Sequence, residues 1–224
     1  MISLVESSTP GVTGFPRALV RLSSQAQGQL WGLRLARLYG FGVGLSYALL
    51  AFVGPPSLAT STKLWARCLA TASWVAGVGA LSLATDLSAR DASQGLTSLA
   101  RLRGYGEPPL ERARVLAGAL RLSAAVLVPG LMLSVASVLR FHTLEGALVA
   151  LALAALTVPY AVLVGGVLSP LARACQRWLP GRGRLLLLGL GLGPWLVGAG
   201  VGAKVPSIPA AFAWVLEHLS RSFH

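Results

Sequence analysis

The sequence predicts an all-α, polytopic helical membrane protein, and three observations carry that prediction. Of its 224 residues 54% are hydrophobic and only 12% are charged, against about 25% charged in a soluble domain. Several stretches of about 18 or more residues carry no charge, the length needed to cross roughly 30 Å of hydrocarbon. The basic residues, 17 arginines and two lysines, cluster in the gaps between those apolar runs, as membrane insertion selects. The net charge of +12 therefore reads as complementary to lipid headgroups rather than to nucleic acid.

The elements follow in chain order. Residues 1–14 are rich in Ser, Thr, Gly and Pro and are expected to be a flexible N-terminus, without the charge and core of a cleavable signal. Over 15–37, Phe15, Leu19, Leu22, Ala26, Leu30 and Leu33 recur every three or four residues, with Arg17, Arg21, Ser24, Gln25 and Gly28 on the other face. That pattern predicts an amphipathic helix lying in the membrane interface. A single transmembrane domain, 38–219, comes next, with about five spans at 38–53, 68–85, 115–139, 146–168 and 185–203. Pro129 and Pro159 fall inside the third and fourth, where each removes one backbone hydrogen bond. Glycine is frequent in the first and fifth, where it suits close helix packing better than a ligand role. The apolar run 210–216 is too short to span and predicts a short outer or re-entrant helix before the tail at 220–224.

Counting basic residues in alternate gaps gives fourteen on one side and five on the other. The positive-inside rule then places the N-terminus in the cytoplasm and the C-terminus outside. Cys68 and Cys175 fall on opposite sides in that topology, so no disulfide joins them. No Walker loop, no GxSxG motif and no metal-spaced cluster of His, Cys, Asp or Glu is present, and the three histidines lie in outer segments. An enzyme of lipid metabolism would need interfacial His and Asp clusters that are missing. No carboxylate lies near a span midplane, which disfavours an ion-coupled carrier.

One polar segment interrupts the apolar chain. Residues 86–114 read as a helix, a breaker at Gly104, Gly106, Pro108 and Pro109, and a second helix running into span three. Leu96, Leu99 and Leu102 are expected to form a narrow apolar stripe flanked by Arg90, Arg101 and Arg103. Such a helix fits either a groove on a partner or the headgroup layer of the membrane.

The stretches "WVAGVGALSLATDLSARDASQGLTSLARLRG" (74–104) and "RARVLAG" (112–118) resemble permease subunits of type-2 ATP-binding-cassette exporters, haem-exporter-like permeases in particular. The resembling features are the pair Arg90–Asp91, Gly95, Leu96 and Leu99, and the Val115–Gly118 lead into span three. Members of that family carry a sixth span, where this chain has the short helix after 203. The resemblance implies a transport role in a bacterial inner (cytoplasmic) membrane. It implies a coupling helix, with Arg90, Asp91, Gly95, Leu96, Leu99, Leu102 and Arg103 as docking residues for a separate cytoplasmic ATPase. It also implies a second permease subunit, identical or related. ATP and Mg would be bound by the ATPase, with no cofactor, metal or catalytic residue in this chain. The alternative is a polytopic subunit that anchors or regulates a larger membrane complex.

Overall fold

The structure, a computed structural model, describes residues 17–53, 58–85, 95–102, 104–140 and 144–191. Among them the regular structure is helical, with no strand. In chain order the helices are α1 (Arg17–Gln27), α2 (Trp31–Val53), α3 (Leu58–Leu81), α4 (Leu96–Leu102), α5 (Glu107–Arg140) and α6 (Leu144–Trp178). A further helix, α7, begins at 183 and is described to 191. Four helical stretches are long and apolar enough to cross a membrane: Trp31–Val53, Thr60–Leu81, Glu107–Arg140 and Gly146–Trp178. The protein is thus a helical membrane protein with four such spans among its described residues. The predicted fifth span begins as helix at 185–191, and its remainder, with the C-terminal helix, lies outside the described residues.

The long helices exceed the apolar runs that mark them. α5 has 34 residues and α6 has 35, about 50 Å each at 1.5 Å per residue, against roughly 30 Å of hydrocarbon. The surplus turns carry the charges: Glu107, Glu111, Arg112 and Arg114 at the start of α5, Arg173 and Arg177 at the end of α6. These two ends meet because α5 and α6 run antiparallel, and the start of α5 packs against α4. Both helices continue through their internal prolines, Pro129 in α5 and Pro159 and Pro170 in α6.

α3 lies at the centre. Trp65, Leu69, Ala72, Ala76 and Ala80 recur every three or four residues and are buried against α2, α5 and α6. Lipid is as apolar as these side chains, so close packing and buried hydrogen bonds hold the bundle together rather than water exclusion. Gly40 and Gly44 of α2 let it approach α5. A Cβ at Gly40 would stand 2.8 Å from the Ala125 carbonyl oxygen, and one at Gly44 would stand 2.8 Å from Pro129 Cα. Gly118 and Gly130 admit α6 in the same way, facing Ser169 and Thr157. Two polar bridges cross the core. Trp65 Nε1 donates to Thr157 Oγ1 at 2.9 Å, and the Ser73 and Tyr160 hydroxyls lie 2.9 Å apart. Each such bond contributes about 0.6 to 1.7 kcal/mol.

At the N-terminus the structure differs from the single amphipathic helix expected over 15–37. The chain breaks at 28–30, so α1 ends at Gln27 and the first spanning helix begins at Trp31, seven residues before the expected start of span one. Side-chain donors explain the break. Arg121 of α5 donates to the Ser24 carbonyl in the last turn of α1, and Arg34 Nε donates to the Gly28 carbonyl at 3.1 Å. Arg34 serves the Gly28 carbonyl just past the helix end, and Arg121 adds a second donor to the Ser24 carbonyl, which also accepts from Gly28 N at 2.9 Å. Gly28 leaves room for Arg121, whose Nη2 would stand 2.6 Å from a Cβ there. Arg121 is thus a tie between α5 and α1.

Candidate functional site

The polar segment singled out in the sequence is described from Gly95 onward, Arg103 excepted. Gly95 takes a positive φ of 71° and its carbonyl accepts from Leu99 N at 2.9 Å. Leu96 starts α4, which is seven residues long. Gly104, at φ 77°, stops it. Gly104 N donates to the Arg101 carbonyl and Tyr105 N to the Ala100 carbonyl, both at 2.9 Å. That pair of bonds is the Schellman arrangement, in which a left-handed glycine satisfies the last carbonyls of a helix. Tyr105 packs against the cluster that holds Ala100, the apolar contact expected to accompany it.

The three leucines do not share one face. Leu96 is 7% exposed and packs with Ala100 against Leu19 of α1 and Leu110 and Ala113 of α5. Leu99 is 45% and Leu102 85% exposed. A three-residue spacing falls short of a full helical turn by about 60° at each step, so the stripe drifts from the inner to the outer side of α4. Leu96 fastens the helix, and Leu99 and Leu102 stand outward. Gly95 sets the start of α4 rather than a surface. Arg90, Asp91 and Arg103 lie outside the described residues.

α1 supplies the seat for α4. Its buried positions are Leu19, Ser23 and Gln27, one helical turn apart. The inward face is therefore part polar, not the apolar stripe the spacing suggested. Gln27 Nε2 donates to the Arg114 carbonyl at 2.8 Å, which fixes α1 to α5 alongside the Arg121–Ser24 bond.

Beneath this platform lies an ion cluster that sequence reasoning missed. Arg173 of α6 grips Glu111 of α5 with both prongs, Nε to Oε1 and Nη2 to Oε2, each at 2.9 Å. Its Nη1 donates to the Thr85 carbonyl just past α3, at 3.2 Å. Arg114 Nη1 reaches Glu107 at 2.8 Å and Glu111 at 3.1 Å, and Arg177 Nη2 reaches Glu111 at 3.2 Å. The Arg114 and Arg173 side chains are 2% and 9% exposed, that of Arg177 66%. Forked arginine–carboxylate pairing fixes orientation as well as distance, so Glu111 sets the relation of α5 to α6 and to the end of α3. Nothing in the local sequence around Glu111 or Arg173, 62 positions apart, marks them as partners.

The arrangement is an anchored helix with an exposed leucine side, standing on helices clamped to one another. Among the described residues no group of three or more His, Cys, Asp or Glu is placed to hold a metal ion. Cys68 and Cys175 are both buried and free. No protein-family profile matches this chain, and no curated protein or solved structure matches it.

Proposed function

We propose that this chain is the transmembrane permease subunit of an ATP-driven exporter, and that it docks a separate cytoplasmic ATPase through the 90–105 segment. The observation that carries the reading is the two-sidedness of α4: Leu96 and Ala100 hold it to α1 and α5, while Leu99 and Leu102 face outward. A short helix that is fixed on one side and apolar on the other suits insertion into a groove of a partner. The fourteen-to-five distribution of basic residues supports a cytoplasmic position for this end of the bundle, and the resemblance implies a bacterial inner membrane.

Force on α4 has a route into the bundle. α4 rests on Leu19 of α1 and on Leu110 and Ala113 of α5, and Glu111 joins α5 to α6 through Arg173. Closure of two ATPase subunits on ATP and Mg would favour whichever permease conformation accepts α4 better, because a partner shifts an equilibrium only by its differential affinity for the two states. The chain itself hydrolyses nothing in this scheme, and a second permease subunit completes the pathway.

Leu99→Asp tests the scheme. The substitution puts a charge on the outer face of α4 and leaves the inner contacts intact, so the chain should insert normally and lose its ATPase. Retention of a full ATPase complex and of transport by the variant would refute the docking role. The second reading, a subunit that anchors or regulates a larger complex, draws support from the absence of any carboxylate in the middle of the spanning helices. It gains if the chain is found in a complex with no nucleotide-binding member.

A further inference from the structure

Two clefts open side by side on the seam between α5 and α6, at the α4 end. The first, of about 510 Å3, lies over the ion cluster at Glu107, Glu111, Arg114, Arg173 and Arg177. The second, of about 620 Å3, shares Glu111 and Arg177 and runs past Arg112 to Val115, Leu116, Ala119 and Gly166. The seam thus changes character along its length. Its mouth is charged, and its floor, from Arg112 to Ala119 about 10 Å along the helix axis, is apolar.

The charges at the mouth do not cancel. Arg112, Arg114, Arg173 and Arg177 face Glu107 and Glu111, which leaves two positive charges. Glu111 is gripped by Arg173 and Arg114 from within and touched by Arg177 through Nη2 alone at 3.2 Å, and the side chains of Arg112 and Arg177 remain exposed. The two neighbouring glycines of α6 differ in the same sense. A Cβ at Gly165 would collide with Ala119 and Ser123 of α5, whereas one at Gly166 would meet nothing within 4 Å. Gly165 serves helix packing, and Gly166 leaves the floor of the groove open.

We propose that this seam is a binding site for an anionic phospholipid. The phosphate would lie between Arg112 and Arg177, and an acyl chain would follow Val115, Leu116, Ala119 and Gly166 toward the middle of the bundle. Charge complementarity selects the occupant. Basic pockets between spanning helices favour anionic headgroups, at roughly a fivefold gain in affinity per arginine near the surface. The apolar floor selects a lipid over a free phosphate. The inference does not depend on the ATPase partner.

The test is native mass spectrometry of the full-length protein in detergent, titrated with phosphatidylglycerol or with phosphatidylcholine. The wild-type chain should prefer phosphatidylglycerol by about 30-fold, the effect of two arginines at the surface. Arg112→Gln with Arg177→Gln should abolish that preference. Gly166→Leu, whose Cβ would meet nothing within 4 Å and whose side chain would occupy the groove, should weaken phosphatidylglycerol binding by about tenfold while leaving both arginines in place. Glycerol 3-phosphate should not compete. Equal affinity for the two lipids, unchanged binding by Gly166→Leu, or displacement by glycerol 3-phosphate would each overturn the proposal.

Discussion

Glu111 accepts both prongs of Arg173 and one nitrogen of Arg114, so Glu111→Gln strands positive charge on the largely buried Arg173, while Arg114 keeps Glu107. Removing one partner of a buried ion pair costs about 3 to 5 kcal/mol, and the variant should melt well below the wild type in detergent. Arg177→Gln removes an exposed arm of the same cluster and should cost about 1 kcal/mol or less. Equal shifts for the two variants would show that Glu111 is not the clamp. In the core, Trp65→Phe and Thr157→Val each remove the same hydrogen bond. Each should lower stability by about 1 kcal/mol, and the double variant should fall short of the sum, since the two residues share one interaction. An additive double variant would contradict that pairing. At this scale the sequence was only half legible. Glu111 falls near the start of the expected second helix, but Arg173 is 62 residues from it, and nothing local marks it as the partner rather than as another loop base.

Whole elements were easier to read than their ends. The apolar runs located each of the four spanning helices, because uncharged length is what hydrocarbon demands. The charged first turns of α5 were legible as a helix leading into span three, whereas the extra turns of α6 past 168 were missed because the arginines there read as loop, although a helix can carry them beyond the membrane. The break at Gly28 was missed because the apolar spacing continues through it, and the Arg121 guanidinium that stabilises it arrives from α5. For α4 the breakers were legible: Gly104 does stop the helix. The sidedness of its leucines depends on the seat offered by α1 and α5, which no local pattern encodes. Helix approach gives a paired prediction. Gly40→Leu would drive a side chain into the backbone of Ala125, whereas a Cβ at Gly42 meets nothing within 4 Å. Gly40→Leu should lower the melting temperature by several degrees through overpacking of about 1 to 3 kcal/mol, and Gly42→Leu should leave it nearly unchanged. Similar melting of both variants would mean that α2 does not depend on Gly40 to approach α5.

At the scale of the molecule, one end of the bundle gathers the features that the rest lacks. The ion cluster, the seat of α1, the outward leucines of α4 and the charged mouth of the α5–α6 seam all lie there. The opposite end is simpler among the described residues, with Arg140 of α5 donating to the Ala51 carbonyl near the end of α2. A concentration of fixed charge and exposed leucine at one end is what a docking face on a membrane protein requires, and the exporter reading rests on it. The most direct measurement is affinity purification of the tagged chain in mild detergent, with the partners identified and ATP hydrolysis assayed in the eluate, for the wild type and for Leu102→Asp. The account predicts a stoichiometric cytoplasmic ATPase with the wild type and its loss with the variant, while the chain itself is recovered in equal amount. A stable wild-type complex with no nucleotide-binding partner, or an ATPase that stays bound to the variant, would contradict it.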